Sequence, residues 1–300
     1  MSTGDSLITV DQLTKFYGRH RGVEDVSFAV SPGEVLGFLG PNGSGKTTVI
    51  RTLMGLIRAT NGDVRLFGRV ATSDHRARDR VGYVPGRLEL LPRMTVRRYL
   101  EHLAALRRRN LEAAITSLAE RFTLDLDATI SSLSKGNKQK VGVIQAVMHD
   151  PQVLILDEPT SGLDPIGQRQ FEELIDEMRG RGTAVLLSSH VMSEVEAIAD
   201  RIAILDHGHL ALVSSMPEMR SRIERSLDFE FGLPVQASEF STVPGVVSVR
   251  TEDNHVVCSV TGSESPVLAK AVQLGVRTVT SQEPTLEEIF ISVTRGDRVV

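Results

Sequence analysis

Cysteine is nearly absent from this sequence, since Cys258 is the single one among 300 residues. One thiol excludes an internal disulfide framework and a zinc cluster built from several cysteines. Long apolar runs are also missing, because no window approaches the ~18 consecutive apolar residues of a membrane-spanning helix. Residues 1–10 lack the basic-then-apolar order of a signal peptide. We therefore expect a soluble, cytoplasmic chain that needs another chain to supply any membrane span.

An excess of charge of one sign is lacking as well, because 34 basic residues stand against 38 acidic ones and leave a net charge of -4. Proteins dedicated to nucleic acids usually carry a domain-wide basic excess, so we expect no nucleic-acid partner. The hydrophobic fraction of 41% is ordinary for a globular chain. A chain of 300 residues is long enough for one large domain or two modest ones.

Four short apolar runs stand between turn residues, at 35–39, 153–156, 184–187 and 202–205. Unalternated runs of this length are typical of strands buried on both faces, as in a parallel sheet covered by helices. Helical stretches lie between them, so the pattern predicts an α/β fold.

The region of about 87–150 has a different pattern of apolar and polar residues, with three helical stretches and no strand between them. This pattern predicts a helical insertion. After residue 213 a polar segment is followed by short strand and helix patterns. We predict a first domain over 1–213, a linker over 214–225 and a small accessory α+β domain over 226–300. Within that last domain, the predicted elements are strands at 229–235, 246–250 and 255–260 and helices at 266–274 and 286–293.

Residues 40–47 read GPNGSGKT and fit the pattern G-x-x-x-x-G-K-[ST] in full. The glycines let consecutive backbone N–H groups turn inward as an anion nest, and the following helix adds the positive end of its dipole. Lys46 supplies a charge for the β- and γ-phosphates of ATP and is predicted to be catalytic, and the Thr47 hydroxyl is small enough to ligate Mg²⁺. The predicted nucleotide-binding set here comprises Gly40, Pro41, Asn42, Gly43, Ser44, Gly45, Lys46, Thr47 and Thr48.

Two carboxylates, Asp157 and Glu158, follow the apolar run at 153–156. The C-terminal end of a strand is where α/β folds place their ligands. We assign Asp157 to Mg²⁺, through water, and Glu158 to the polarisation of an attacking water as general base. Together with the phosphate-binding loop, these residues predict a P-loop NTPase.

Further motifs resemble those of the ATP-binding subunits of ABC transporters. Residues 133–139 (LSKGNKQ) resemble the family's LSGGQ signature, residues 159–164 (PTSGLD) its D-loop, and residues 188–190 (SSH) its switch histidine. Residues 17–18 (YG) stand where the family places an aromatic ring against adenine. The ordered motifs cover roughly residues 17–204. The resemblance implies a RecA-like P-loop NTPase core with an antiparallel β-subdomain and a helical insertion.

The resemblance also implies how such a subunit works. Two copies would pack head to tail about a twofold axis, with each ATP held between Lys46 of one copy and Ser134 and Gly136 of the other. His190 would contact the γ-phosphate and hold Glu158 and the attacking water in register.

Three more residues are assigned to the nucleotide by the same resemblance. Asn137 and Asp164 would contact ATP at the seam, that is, the interface between the two copies. Tyr17 would contact the adenine, and Phe16 is the competing candidate for that role. The implied partners are a second copy of the chain and a separate integral membrane permease. That permease would hold the cytoplasmic chain at the inner face of the cell membrane.

The sequence departs from the family pattern at three positions. Gly86 stands where the family usually has glutamine and offers no side chain to Mg²⁺ or water; Glu89 is a candidate substitute. In the signature, Lys135 replaces a glycine and Asn137 replaces a glutamine. None of these changes removes a predicted catalytic or metal-binding residue, so we expect ATP hydrolysis.

The segment 284–290 (PTLEEIF) is similar to the end of ATP-binding subunits that serve ABC-2-type exporters, which favours export over import. Residues 69–109 hold eleven arginines against four acidic residues. We interpret these helices, with Arg97, Arg98 and 107–109, as facing the permease or the anionic membrane surface. Two alternatives stay open: a soluble ABC-type ATPase acting on ribosomes or DNA, and a regulatory nucleotide binder that does not hydrolyse ATP.

Overall fold

The computed structural model describes residues 6–71, 76–222, 225–282, 287 and 290. The chain divides into two units, Met1–Val213 and Ser214–Val300. The strands that begin in the first unit are β1 (Ile8–Tyr17), β2 (His20–Val30), β3 (Val35–Leu39), β4 (Asn61–Leu66), β5 (Arg69–Val70), β6 (Val81–Val84), β7 (Val153–Asp157), β8 (Ala184–Ser189), β9 (Arg201–Asp206) and β10 (His209–Ser215). Its α-helices are α1 (Lys46–Leu53), α2 (Val96–Leu106), α3 (Glu112–Arg121), α4 (Lys135–Val147), α5 (Pro165–Gly180) and α6 (Met192–Ile198).

A six-stranded sheet in the order β10-β9-β3-β8-β7-β6 forms the core of the first unit. Strands β3, β7 and β8 are buried at every residue. Strand β3 runs parallel to β8 and β9, and β7 runs parallel to β6 and β8. The predicted α/β fold with buried parallel strands is therefore confirmed. Because parallel strands end at the same edge, the loops after β3, β7 and β8 open side by side.

A second sheet of the first unit is antiparallel, in the order β2-β1-β4-β5. Ile8 and Leu13 of β1 join Val49 and Ile50 of α1 in one fully buried core. This core fixes helix α1, and so the position of Lys46 at its first residue, against the two sheets. The sheet corresponds to the antiparallel β-subdomain that the family resemblance implies.

Helices α2, α3 and α4 lie between β6 and β7 along the chain. Val143 and Ile144 are among the buried residues of helix α4. Arg121 of α3 donates two hydrogen bonds of 2.9 Å to the Glu177 carboxylate on α5. Both bonds come from Nη1 of Arg121, and this charged contact ties the helical insertion to the helix that packs on β8.

The arginine run at the end of α2 is engaged with the chain itself. Arg107 donates to the carbonyl oxygens of Asp79 (3.1 Å) and Val81 (3.5 Å), and Arg109 donates to that of His149 (2.7 Å). The interpretation of this run as a face for a permease or a membrane stays a prediction, since Arg109 is exposed, and these hydrogen bonds give Arg107 and Arg109 a structural role as well. Their guanidinium groups hold the end of α2 against its neighbours, because arginine offers several donors to backbone oxygens.

The second unit is built on an antiparallel sheet in the order β12-β13-β11-β14. Its strands are β11 (Arg225–Glu230), β12 (Val246–Glu252), β13 (His255–Val260) and β14 (Thr278–Gln282). Its helices are α7 (Met216–Arg222), α8 (Ser238–Ser241) and α9 (Ser265–Gln273). Phe229, Phe231 and Phe240 form its core with ring centroids 5.5 to 6.5 Å apart, and Val267 and Ala271 of α9 pack against them.

The elements of this unit differ in detail from the sequence pattern. Strand β11 starts before residue 229 and ends at Glu230, and strand β14 has no apolar alternation that would predict it. Helix α7 occupies part of the segment 214–225, whose polar composition predicts a linker. The helix predicted over 286–293 lies outside the described residues, apart from positions 287 and 290. Within the described ranges, no helix combines the length and the apolar character that a membrane crossing requires.

Replacing Arg107 by alanine removes the hydrogen bonds to Asp79 and Val81. We expect the free energy of unfolding to fall by about 2 kcal/mol, because hydrogen bonds to a charged group are stronger than neutral ones. Urea denaturation measures the change against Arg98→Ala, which removes an exposed arginine from the same helix. Equal losses in the two variants would contradict a structural role for Arg107.

His149 makes the stability of the fold depend on pH. The residue is 1% exposed, and its Nε2 lies 3.2 Å from the Val81 carbonyl oxygen. Burial, followed by the charge of Arg107, lowers the pKa of the imidazole from 6.5 to about 4. The unfolded chain binds this proton more readily, so the effect is absent above pH 6.5 and stability falls as the pH drops toward 4.

We expect His149 alone to cost roughly 3 kcal/mol of stability once the pH has fallen to about 4. The substitution His149→Asn removes the titrating group, so its free energy of unfolding should decline less steeply with falling pH. Urea denaturation of both proteins from about pH 7 to about pH 4 gives the two slopes. Identical slopes would show that His149 does not titrate as its burial requires.

Candidate nucleotide-binding site

The loops after β3 and β7 meet the end of β1 at an open cleft of about 550 Å³. Its walls include residues 42–48 of the phosphate-binding loop, together with Tyr17, Asp157 and Glu158. In the parallel register Asp157 stands beside Ser188 of the next strand. Three sequence-predicted segments that are far apart along the chain therefore converge on one cleft.

The phosphate-binding loop has the backbone shape that its glycines permit. Gly43 and Gly45 have φ angles of 82° and 111°, in the left-handed region that favours glycine. A Cβ atom at Gly45 would lie 2.4 Å from Val23 Cγ1, so the close approach of these segments requires glycine. Ser44 Oγ is buried and has no hydrogen-bond partner among the described residues, which leaves it available to a ligand.

Lys46 is buried at the start of helix α1. Its Nζ donates hydrogen bonds to the carbonyl oxygens of Gly40 (2.5 Å) and Pro41 (3.2 Å). Burial lowers the pKa of the ammonium group, while the charges of Glu158 and Asp157 act in the opposite direction. A bound phosphate would act in the same direction as these carboxylates, because negative charge stabilises the ammonium.

The Asp157 carboxylate is held by two hydroxyl groups. Ser188 Oγ donates to Asp157 Oδ1 at 2.5 Å, and Thr47 Oγ1 donates to Asp157 Oδ2 at 3.2 Å. The predicted metal ligands Thr47 and Asp157 are thus direct neighbours at the cleft. A hydroxyl and a carboxylate are oxygen donors of the kind that Mg²⁺ prefers, so the residues present fit this ion.

Gly86 lies directly against this carboxylate. A Cβ atom at Gly86 would be 2.9 Å from Asp157 Oδ2, so the carboxylate occupies the space into which a side chain would begin. Glu89, the candidate substitute for the missing glutamine, pairs instead with Arg87 at 3.4 Å, and both side chains are largely exposed. Glu89 does not line the cleft that the described residues form, whereas Gly86 and Arg87 do.

Glu158 and His190 form a pair across the ends of two adjacent strands. His190 Nδ1 lies 2.5 Å from Glu158 Oε2. The backbone of Glu158 is left-handed, with φ of 55°, and its N–H donates to the Ser188 carbonyl oxygen at 3.0 Å. A non-glycine residue keeps such a conformation only where its surroundings hold it, and this strain is common at functional sites.

Tyr17 lies at the rim of the cleft, where 46% of its surface is exposed. Its hydroxyl is 3.5 Å from Thr48 Oγ1, and Lys15 Nζ is 5.3 Å from the ring centroid. Phe16, the competing candidate, is the next residue on the same strand and does not line the cleft among the described residues. Successive side chains of a strand point to opposite faces, so only one of the two rings, Tyr17 or Phe16, can face a ligand in this cleft.

The signature and D-loop residues form a second cluster. Ser134 Oγ caps helix α4 by accepting from the Asn137 N–H at 3.2 Å, and Asp164 Oδ1 caps α5 by accepting from the Gly167 N–H at 2.6 Å. A Cβ atom at Gly136 would lie 2.4 Å from the Gly162 carbonyl oxygen, so the two segments touch. Lys135 Nζ donates to Ser161 Oγ at 3.0 Å in the same cluster.

The predicted nucleotide ligands are thus divided between two places on one chain. None of Ser134, Gly136, Asn137 and Asp164 lines the cleft as the described residues form it. The phosphate-binding loop and the signature cluster of one chain therefore do not enclose a common site.

Sequence reasoning missed several residues of the cleft wall, among them Arg51, Tyr83 and Arg87. Burial, followed by the charge of Asp157, raises the pKa of Tyr83, while Arg51 lowers it. Arg51 lies four residues after Thr47 on the same helix, so helical periodicity could have indicated it. The other two are placed by the pairing of β6 with β7, which has no signal in the local sequence.

Residues 23–161 match the family model described as ABC transporter, and residues 217–294 match that of the ATP-binding protein DrrA1-3-like, C-terminal domain. Nod factor export ATP-binding protein I of Rhizobium meliloti (strain 1021) is 33% identical over 296 residues, covering 96% of this chain and 88% of that protein. Bacitracin transport ATP-binding protein BcrA of Bacillus licheniformis is 33% identical over 229 residues, covering 75% of each. A solved structure of the ATP-binding subunit of an ABC transporter is 30% identical, with a TM-score of 0.67, and covers 72% of this chain and 92% of its own.

The similarity extends over nearly the whole chain, well beyond the phosphate-binding loop that any P-loop protein shares. It includes both units, and 72% of the chain shares the fold of a solved ATP-binding subunit. The family resemblance read from the sequence motifs is therefore confirmed. The chain belongs to the ABC transporter family, as an ATP-binding subunit with ATPase activity.

Proposed function

We propose that two copies of this chain close head to tail over two ATP molecules and drive a separate exporter-type permease in the cell membrane. One observation carries the proposal: the phosphate-binding loop and Glu158, which His190 contacts, line the cleft, while the signature cluster lies outside it. A chain whose two sets of nucleotide ligands are apart needs a second copy to bring them together.

The cleft supplies one half of the ATP site. Lys46 and the inward-facing N–H groups of the loop would bind the β- and γ-phosphates, at the positive end of helix α1. Ser44, buried without a partner among the described residues, would donate to the same phosphates. Tyr17, half-exposed at the rim, would stack on the adenine. Asn42 and Thr48 complete this wall.

Thr47 and Asp157 would hold Mg²⁺ at the inner end of the cleft, where their oxygen atoms are 3.2 Å apart. When bound, the ion neutralises charge on the phosphates. Asp157 keeps its orientation through Ser188, whose hydroxyl donates to the other carboxylate oxygen.

Hydrolysis would proceed at the Glu158–His190 pair. A water molecule attacks the γ-phosphorus, the bond from that phosphorus to the β–γ bridging oxygen breaks, and the proton of the water passes to the Glu158 carboxylate. His190 holds this carboxylate in place through its 2.5 Å contact with Oε2. ADP and inorganic phosphate are the products.

The second half of the site would come from the other copy. Ser134 of the partner subunit and Gly136 of the partner subunit start a helix, whose free N–H groups are suited to the γ-phosphate. Asn137 and Asp164 lie in the same cluster and would complete the seam. Loss of the γ-phosphate removes the ligand that bridges the copies, so hydrolysis would release them.

The names of two relatives support export as the direction of transport. Their names specify Nod factor export and bacitracin transport, and the second unit matches a C-terminal domain of ATP-binding proteins. We propose that this chain binds an exporter permease at the cytoplasmic face of the membrane.

The substitution Glu158→Gln tests the proposal most directly. Phosphate release should fall at least ~10²-fold, because the general base is lost while the shape of the site is kept. ATP should then persist at the seam, so sedimentation in the presence of ATP should show a dimer that ADP does not produce. Glu158→Gln combined with Lys46→Ala, which loses the phosphate ligand, should stay monomeric.

Two results would contradict this account. A Glu158→Gln protein that stays monomeric with saturating ATP would exclude the bridging role of the nucleotide. A wild-type protein that binds ATP and releases no phosphate, alone or with its permease, would favour the regulatory nucleotide binder instead.

The close approach of Gly86 to Asp157 yields a separate prediction. In Gly86→Ala the new methyl group would press on Asp157 Oδ2 and displace it from Thr47. We expect the Mg²⁺ concentration for half-maximal ATPase activity to rise several-fold, because the oxygen ligands lose their alignment. Titration of ATPase activity with Mg²⁺ checks this, and an unchanged midpoint would show that the carboxylate adjusts freely.

A further inference from the structure

Glu194 on helix α6 accepts hydrogen bonds from three different parts of the chain. Its Oε2 accepts from Thr160 Oγ1 at 2.5 Å and from Ser189 Oγ at 3.0 Å. Its Oε1 accepts from Gln168 Nε2 at 3.1 Å. These donors belong to the loop after β7, the end of β8 and helix α5, so a single carboxylate joins three elements.

Two of these donors flank the proposed catalytic pair. Thr160 lies two residues after Glu158, and Ser189 immediately precedes His190. Ser189 Oγ also accepts from the Val191 N–H at 3.0 Å, which fixes the chain on the other side of the histidine. Glu194 thus connects the two segments that carry the 2.5 Å contact between His190 and Glu158.

Glu194 does not line the cleft that the described residues form, so any effect on ATP must pass through other residues. Thr160 and Ser189 are buried hydroxyls. Removing their shared acceptor would leave the hydrogen atoms of two buried hydroxyls without an acceptor, which is costly enough to shift the segments that bear them.

We infer that Glu194 is a positioning residue for ATP hydrolysis: it holds the loop of Glu158 and the loop of His190 in the register that their contact requires. Hydrogen bonds to a carboxylate are shorter and stronger than those between neutral groups. Such bonds suit this place because the left-handed backbone of Glu158 persists only where its surroundings constrain it. The inference rests on the proposed function.

Steady-state ATPase kinetics of the full-length chain provide the test. For Glu194→Ala we expect kcat to fall roughly tenfold or more, with KM for ATP within about twofold of wild type, because the loop that binds phosphate is untouched. Glu194→Gln keeps an amide oxygen toward Thr160 and Ser189, and Gln168 can turn its own amide to match. It should therefore recover kcat to within about threefold of wild type.

A double-mutant cycle with His190→Ala separates positioning from a general loss of stability. If Glu194 acts through the Glu158–His190 contact, Glu194→Ala should lower kcat little further once His190 is absent. Losses that multiply in the double variant would contradict the inference. Glu101→Ala, which removes an exposed carboxylate on α2, serves as the control and should keep wild-type kinetics.

Two milder variants cover the case in which Glu194→Ala does not fold. Thr160→Val and Ser189→Ala each remove one donor to Glu194, and each should lower kcat without raising KM. Normal kcat in both would overturn the inference. A wild-type protein without ATPase activity would instead refute the proposed function. If the wild type is active and Glu158→Gln is inactive, but Glu194→Ala has normal activity, this inference alone is refuted.

Discussion

The parallel register of three neighbouring strands is the constraint on which the site depends. Leu39 of β3 pairs with Ser189 of β8, and Asp157 of β7 pairs with Ser188. This pairing brings the phosphate-binding loop, the two carboxylates and the switch histidine to one edge of the sheet. A slip of one residue would turn each side chain to the opposite face, so the buried apolar strands and the polar loops specify the register together.

Charged groups at this edge of the sheet are held in place by other groups of the chain. Lys46 is buried next to Asp157 and Glu158, whose negative charges offset part of the effect of burial on the ammonium. Each carboxylate in turn has a fixed partner: hydroxyls for Asp157 and the imidazole for Glu158. A site with its dipoles and charges already oriented needs little rearrangement when phosphate charge enters, which is the basis of electrostatic catalysis.

The sequence was sufficient to predict the parts of the fold whose signal is local. Unalternated apolar runs predicted the buried strands β3, β7, β8 and β9, and glycine spacing predicted the loop that leads into helix α1. The polar strand β14 has no such pattern, since it is held by pairing with β11. The hydrogen bonds of Arg107 and Arg109 to backbone carbonyl oxygens depend on contacts between distant segments, which composition alone does not reveal.

Within the site, too, some residues are indicated by the local sequence and others only by contacts between distant segments. The types of residue at 40–48, 157 and 158 indicate phosphate and metal chemistry wherever they fold, because the chemistry needs those groups. Glu194 has no motif of its own, and its three donors come together only in the folded chain. The approach of Gly86 to Asp157 is likewise a property of the packing, whereas the sequence showed only a missing glutamine.

Complementation between two inactive chains tests most directly whether each ATP is shared by two copies. Lys46→Ala removes the lysine that would bind the phosphates, and Ser134→Arg places a bulky side chain where the signature would contact ATP. Each variant alone should therefore be inactive. In a mixed dimer, one site combines both lesions and the other is intact. A random equimolar mixture should therefore regain about a quarter of the wild-type phosphate release. A mixture that remains as inactive as its components would contradict the shared site.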